Sequence, residues 1–272
     1  MNRYVFGIHR GGSSVMGMIA VDAARITGVP LVEMGPPDAT LPDAGPRGAA
    51  TKTDTLRAAD GSGIDGIFTP QLENWRTHSG LFVPIRRADM FPPDIFAPGD
   101  RAVLMMRDPR DCMVSGYYGF LRLHGGGLQT PSRQIFYDMG IDAYVLEHML
   151  PRYMRALDDY IALRAQIPAL SVLHYEQMVT DFSRWLPAFL EALAMPRHLR
   201  LRERLRHPRL GVTPLRVLLD RHSTSFTPPA AEDIDSHKRQ MLPGDHIRKL
   251  KPETIATIND QMGPQLRAFD YL

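Results

Sequence analysis

The sequence predicts an α/β fold: a mainly parallel sheet with helices on both faces and a P-loop-like strand–loop–helix that binds phosphate. Three observations predict it. Short apolar runs alternate with longer amphipathic ones along the chain, as strands joined by crossover helices do. Two strand–helix junctions, around residues 10 and 107, each place an arginine in the turn. The length of 272 residues allows one large domain, expected over 1–272, with a sizeable core.

The elements follow in order. Residues 4–8 are a short apolar strand, and a helix over 15–27 carries apolar residues at helical spacing, with Ser13 or Ser14 placed to cap it. A second strand is expected over 29–34. The Pro/Gly-rich stretch 35–66 is too long for a simple connection and reads as functional or mobile. Strands follow at 81–85 and at 102–106, the latter fully apolar. A helix over 110–121 comes next, with Pro109 in its first turn and Asp108 and Asp111 favouring its N-terminus. The stretch 123–132 holds Gly125-Gly126-Gly127 and reads as a loop. Helices over 143–166, 182–194 and 252–269 and a strand over 170–173 complete the alternation, and the basic run 199–210 reads as a solvated helix face.

The two junctions carry the chemistry. Arg10, Gly11, Gly12, Ser13 and Ser14 combine a cation, a backbone without side chains and two hydroxyls. Backbone N–H groups at such a helix start bind anions, most often phosphate. The loop lacks the Gly-Lys-Ser/Thr of a Walker A sequence. Arg107 closes the 102–106 strand, with Ser115 eight residues on. Ligands of open α/β sheets bind beyond the carboxyl ends of the strands, where Arg10 and Arg107 both project.

Together the two runs resemble the PAPS-dependent sulfotransferases of the cytosolic and bacterial small-molecule type (PAPS is 3′-phosphoadenosine 5′-phosphosulfate; PAP is its desulfated product). That family has K/R-S-G-T-T for the 5′-phosphosulfate, here Arg10 to Ser14. It also has R-x-P-x-D-x-x-x-S for the 3′-phosphate, matched here at Arg107, Pro109, Asp111 and Ser115. Tyr175-Glu176 resembles the family's Tyr-Glu-Asp, whose Tyr touches the cosubstrate. Thr224-Ser225-Phe226 resembles the Thr-Ser-Phe that packs on adenine. Arg239 with Pro243-Gly244-Asp245 resembles the loop that closes over the 3′-phosphate. The sequence also departs from the pattern. Val15 stands in place of an adenine-stacking Trp, and Gln240-Met241 in place of Lys-Gly. No K-T-H run supplies the catalytic His. If Arg87 takes the place of its Lys, Asp89 falls where the His would be; His78 and His124 are the alternative bases.

The resemblance implies PAPS as cosubstrate, no metal, and a small-molecule acceptor, with Arg10, Asp89 and His78 as the catalytic set. Gly11, Gly12, Ser13, Ser14, Arg107, Ser115, Tyr175, Thr224, Phe226 and Arg239 join Arg10 in holding the nucleotide. Composition agrees with an enzyme: 44% hydrophobic, 23% charged and a net charge of +2 give no basic field for nucleic acid or membrane. The single Cys112 fits a reducing compartment, and no secretory leader or ~20-residue apolar span appears, so a cytoplasmic location is expected. The sequence leaves the oligomeric state open. Two other classes remain open from the residues alone: a P-loop kinase-like phosphotransferase, and a catalytically silent nucleotide-binding protein.

Overall fold

The computed structural model describes residues 1–33, 79–85, 88, 96–123, 131–207, 211–234, 236 and 239–272. Five parallel strands form one sheet: β1 (Arg3–Gly7), β2 (Leu31–Glu33), β3 (Leu81–Ile85), β4 (Arg101–Met106) and β5 (Leu170–His174), in the order β2-β3-β1-β4-β5. Alternate side chains of each strand face opposite layers, as the pleat dictates. Tyr4 and Phe6 of β1 join Ala102, Leu104 and Met106 of β4 in one core; Val5, Val103 and Met105 join the other.

The first core is covered by the helix Leu150–Gln166, through Tyr153, Leu157, Tyr160 and Leu163 at helical spacing, and by Ile258, Met262, Leu266 and Phe269 near the end of the chain. The second is covered by α1 (Ser13–Thr27) and by the helix Phe182–Ala192, whose Trp185 and Phe189 stack at 4.9 Å. The helix that follows β4, α2 (Pro109–Tyr118), packs into the first core through Cys112, Met113 and Val114. Neighbouring strands β1 and β4 therefore send their helices to opposite faces. Such a switch point leaves a crevice at the strand carboxyl ends. Both arginine-bearing turns follow the carboxyl ends of these two strands.

Several boundaries differ from the sequence reading. The start of α1 is not capped by Ser13 or Ser14: Gly12 holds the cap position in the left-handed conformation (φ 82°), with no side-chain cap. The expected 29–34 strand is described only as Leu31–Glu33; Pro30 lacks an N–H and contributes its carbonyl, which accepts from Leu81 N at 2.8 Å. The helix after β4 widens into a π turn at Gly119–Leu123, and the 143–166 helix starts at Ile141 with a π turn at Val145–Met149. The 252–269 helix is two, Pro252–Gln261 and Gly263–Ala268. They break at Met262, where Gly263-Pro264 weakens a continuous ladder. The basic run contains a short helix, Leu201–Arg206, mostly exposed, with buried Glu203 paired to Arg206 and to Arg221. The 35–66 loop and residues 124–130 of the glycine-triplet loop lie outside the described residues.

Candidate donor-binding and catalytic site

The first turn leaves the sheet still bonded to it: Ile8 N donates to Met105 O (3.3 Å), and Gly11 N closes the turn onto Ile8 O (3.0 Å). Tyr160 Oη donates to Gly7 O (3.1 Å) and Tyr153 Oη to His9 O (2.8 Å), so two buried tyrosines pin the backbone on either side of Ile8. Arg10 adopts φ 61°, a left-handed conformation that costs an L-residue about 1–2 kcal/mol. Both glycines are required by close approach. A Cβ on Gly11 would stand 2.4 Å from Ile8 Cγ2, and one on Gly12 2.7 Å from the Tyr175 ring. The start of α1 thus presents its positive end at this turn with no side-chain cap hydrogen bond among the described residues.

The second turn meets the first directly. Arg107, 7% exposed, donates from Nη1 to Arg10 O (3.2 Å), and its guanidinium lies 4.6 Å over the Tyr175 ring. Asp108 caps α2 by accepting from Arg110 N (2.9 Å) and pairs with the Arg110 guanidinium. Asp108 N in turn donates to Glu176 Oε1 (2.9 Å), and Tyr271 Oη donates to Glu176 Oε2 (3.0 Å). Burial pushes the Glu176 carboxyl above its ordinary range despite these hydrogen bonds. His174 packs on Tyr271, with Nδ1 3.1 Å from its hydroxyl.

Two cations at this junction lack full partners. The Nε atoms of Arg10 and Arg107 are both buried with no hydrogen-bond acceptor, and no carboxylate among the described residues forms an ion pair with Arg10. Burial depresses the Arg10 pKa, although a guanidinium stays charged. Burial would likewise depress Arg107, but nearby Cys112, Tyr175, Asp111 and Glu176 outweigh it and hold it above its ordinary value. A buried donor left unpaired costs about 1–3 kcal/mol, more when charged. Such a cost is offset when each guanidinium meets an anion.

The other expected residues fall into three groups. Tyr175 belongs to the junction and also reaches the late loop, donating to Met241 O (3.2 Å). Met241, where the resembled pattern has Gly, takes the left-handed φ of 62° that glycine favours. Arg239 is held between Glu232 and Asp245, 4.4 Å over the Tyr118 ring, and faces those carboxylates rather than Arg107. Ser115 is half-buried on α2 and Thr224 is exposed in the 3₁₀ turn Ser223–Phe226; no side-chain hydrogen bond joins either to the cluster among the described residues. Phe226 is buried in the second core, its ring 4.4 Å from that of Phe182. Asp89, His78 and His124 lie outside the described residues.

The sequence does not announce Gly119, nor the bonds by which Asp111 accepts from Gly244 N and His246 N. A Cβ on Gly119 would stand 2.2–2.6 Å from the Arg10 guanidinium, so this glycine makes the seat for that cation. Nothing in the run Tyr117-Tyr118-Gly119-Phe120 announces this, because the contact spans more than 100 residues. No described helix is long and apolar enough to cross a membrane. Among the described residues no group of three or more His, Cys, Asp or Glu side chains is arranged to hold a metal.

A parallel sheet whose switch point gathers two under-partnered guanidinium groups and a glycine-built helix start defines an anion-binding α/β protein. The sulfotransferase domain profile matches residues 76–269, and the chain belongs to the sulfotransferase family. The match takes in Arg107, Tyr175, Thr224, Phe226 and Arg239, while the Arg10 loop precedes it. Among solved structures, mouse sulfotransferase SULT7A1 complexed with PAP shares the fold at TM-score 0.55 and 13% identity, over 98% of this chain and 84% of that one. Retinol dehydratase, in a complex with retinol and PAP, does so at TM-score 0.50 and 13% identity, over 97% of this chain and 81% of that one. No curated protein matches the chain in sequence.

Proposed function

We propose that in this PAPS-dependent sulfotransferase the two arginine turns divide the donor between them. Arg10, with the backbone of Gly11 and Gly12 and the hydroxyls of Ser13 and Ser14, takes the 5′-phosphosulfate end. Arg107 takes the 3′-phosphate, with Ser115 and, after exchanging its carboxylate partners, Arg239. Tyr175, Thr224 and Phe226 flank the nucleoside. The observation that carries this reading is the pair of buried, acceptor-less Nε atoms on Arg10 and Arg107, joined through the Arg10 carbonyl. A bisphosphorylated nucleotide supplies an anion to each.

The reaction is an in-line displacement. An acceptor hydroxyl or amine forms a new bond to sulfur as the sulfur–oxygen bond to the 5′-phosphate breaks, and the electron pair stays with that phosphate oxygen. Arg10 neutralises the developing charge, and Asp89, or His78 or His124, receives the acceptor's proton. Positioning and fixed charge dominate such transfers. Asp89→Asn is expected to lower turnover while leaving PAP affinity unchanged. A loss confined instead to His78→Asn or His124→Asn assigns the proton to that histidine.

Gly119→Ala is expected to displace the Arg10 guanidinium from its seat and lower turnover by about a hundredfold, the scale of a ~1 Å misplacement. Its thermal midpoint should hold, since alanine favours helix over glycine. Unchanged turnover in steady-state assays would mean that the guanidinium works from another position. The acceptor class itself is tested by incubating the protein with labelled PAPS and a panel of alcohols, phenols and amines, read by mass spectrometry. Transfer of a sulfuryl group to one class supports the reading, and PAP binding without transfer to any would make the chain a silent nucleotide binder. The lone, buried Cys112 supports a cytoplasmic location, which cell fractionation checks.

A further inference from the structure

The carboxylate of Asp111 is fully buried and serves two parts of the molecule at once. Its Oδ1 accepts from His246 N (2.9 Å) and lies 2.6 Å from His246 Nδ1; its Oδ2 accepts from Gly244 N (2.9 Å). The same Oδ2 stands 3.9 Å from Arg107 Nη2, close enough for electrostatic attraction but beyond a hydrogen bond. The His246 ring is buried too, and with Nδ1 beside a carboxylate oxygen that nitrogen is the one assigned the proton. Burial would raise the Asp111 pKa, but the His246 hydrogen bonds and the Arg107 charge outweigh it and keep it ionised.

Other charges around the ring are already committed. Asp108 Oδ2, 3.9 Å from Nδ1, is bonded to Arg110, and Asp245 is bonded to Arg239 and lies 3.4 Å from Arg248. The donors of residues 244 and 246 therefore occupy Asp111. A carboxylate with free lone pairs beside a guanidinium would rotate onto it and compete with any incoming anion. Here it is held just short of doing so.

We propose that His246 is a positioning residue for the donor site. Its Nδ1–H restrains Asp111 so that Arg107 is oriented but not neutralised, leaving its Nε and Nη2 for the 3′-phosphate. This rests on the assignment of Arg107 to that phosphate. The same bonds latch the loop after Arg239 onto the start of α2, so the two halves of the 3′-phosphate site are set by one buried carboxylate.

The test compares His246→Leu, which removes the donor, with His246→Asn, which keeps an N–H near the Nδ1 position. PAP and ADP affinities are measured by calorimetry, and PAPS kinetics at saturating acceptor. His246→Leu is expected to weaken PAP about tenfold and raise KM for PAPS by a similar factor. ADP affinity and kcat should stay within about twofold, and the Asn variant should recover most of the PAP affinity. His246→Ala provides the same contrast if the leucine variant does not fold. Equal losses for PAP and ADP, no loss in PAP affinity, no recovery with Asn, or failure of both the Leu and Ala variants to fold would overturn the proposal by making His246 structural only. A wild-type protein that binds PAP no better than ADP would instead overturn the assignment of Arg107.

Discussion

Replacing Arg10 by alanine is expected to lower turnover on the order of a hundredfold or more, the scale of losing one preorganised electrostatic donor. The structure explains why the effect should fall on turnover. Its guanidinium is seated against Gly119 with Nε buried and unpartnered, so it is not consumed by the fold. Charge develops on the bridging oxygen only as the sulfur–oxygen bond breaks, and a cation that meets it there lowers the barrier more than it tightens ground-state binding. PAP affinity should fall less than turnover, and Arg10→Lys should keep partial activity as a point charge without the planar fork. Because the Arg10 side chain makes no ion pair with a described carboxylate, its removal should not lower the thermal midpoint. Steady-state rates, PAP calorimetry and a melting curve together check this; wild-type turnover in the alanine variant would refute it.

The second large effect concerns which nucleotide the crevice prefers. PAP is expected to bind at least tenfold more tightly than ADP, a gap of about 1.4 kcal/mol, in calorimetry without added magnesium. ADP lacks the 3′-phosphate and would leave Arg107 buried with its Nε still unsatisfied. Charge-assisted arginine–phosphate contacts are roughly twice as strong as neutral hydrogen bonds. Arg107→Ala should shrink the gap chiefly by weakening PAP, and it should also loosen the first turn, because Arg107 Nη1 bonds the Arg10 carbonyl. Ser115→Ala, on a half-buried hydroxyl, should do so more mildly. Arg239→Ala is subtler: Glu232 and Asp245 hold that cation here, so binding through it requires an exchange of partners, and its removal leaves Glu232 to Lys249 and Asp245 to Arg248. Equal affinity for PAP and ADP, or a requirement for magnesium, would favour a kinase-like site.

Much of this was legible in residue order because it depends on local chemistry. An apolar run followed by Arg-Gly-Gly-Ser-Ser reads as a sharp turn into a helix, and Asp108-Pro109 starts α2 close to where the sequence places it; the cap bond from Arg110 N to Asp108 is added by the structure. The cap of α1 departs from the sequence expectation for a non-local reason. Serine is the better side-chain cap, but the ring of Tyr175 presses on Gly12, and only glycine accepts both that contact and a φ of 82°. A contact between residues 12 and 175 is not written in either neighbourhood. The same holds for Asp111. Its place two residues after Pro109 reads as an N-terminal acid favoured by the helix dipole, whereas in the structure it anchors residues 244 and 246.

What the sequence by itself determined is therefore the set of elements and the chemical types at their junctions: parallel strands, a glycine-built first turn, and arginines at the ends of β1 and β4. Periodicity and turn chemistry act over a few residues, so they survive without knowledge of the neighbours. Only the tertiary structure decided which of those groups meet. The order β2-β3-β1-β4-β5 puts β1 beside β4 and sends their helices to opposite faces, and that adjacency brings Arg10 and Arg107 into one crevice. It also decided that Arg239 rests between two acids and that Phe226 packs against Phe182 in the core. Those outcomes are set by competition between partners more than 40 residues apart or across a loop, and burial and charge resolve that competition only when the chain has folded.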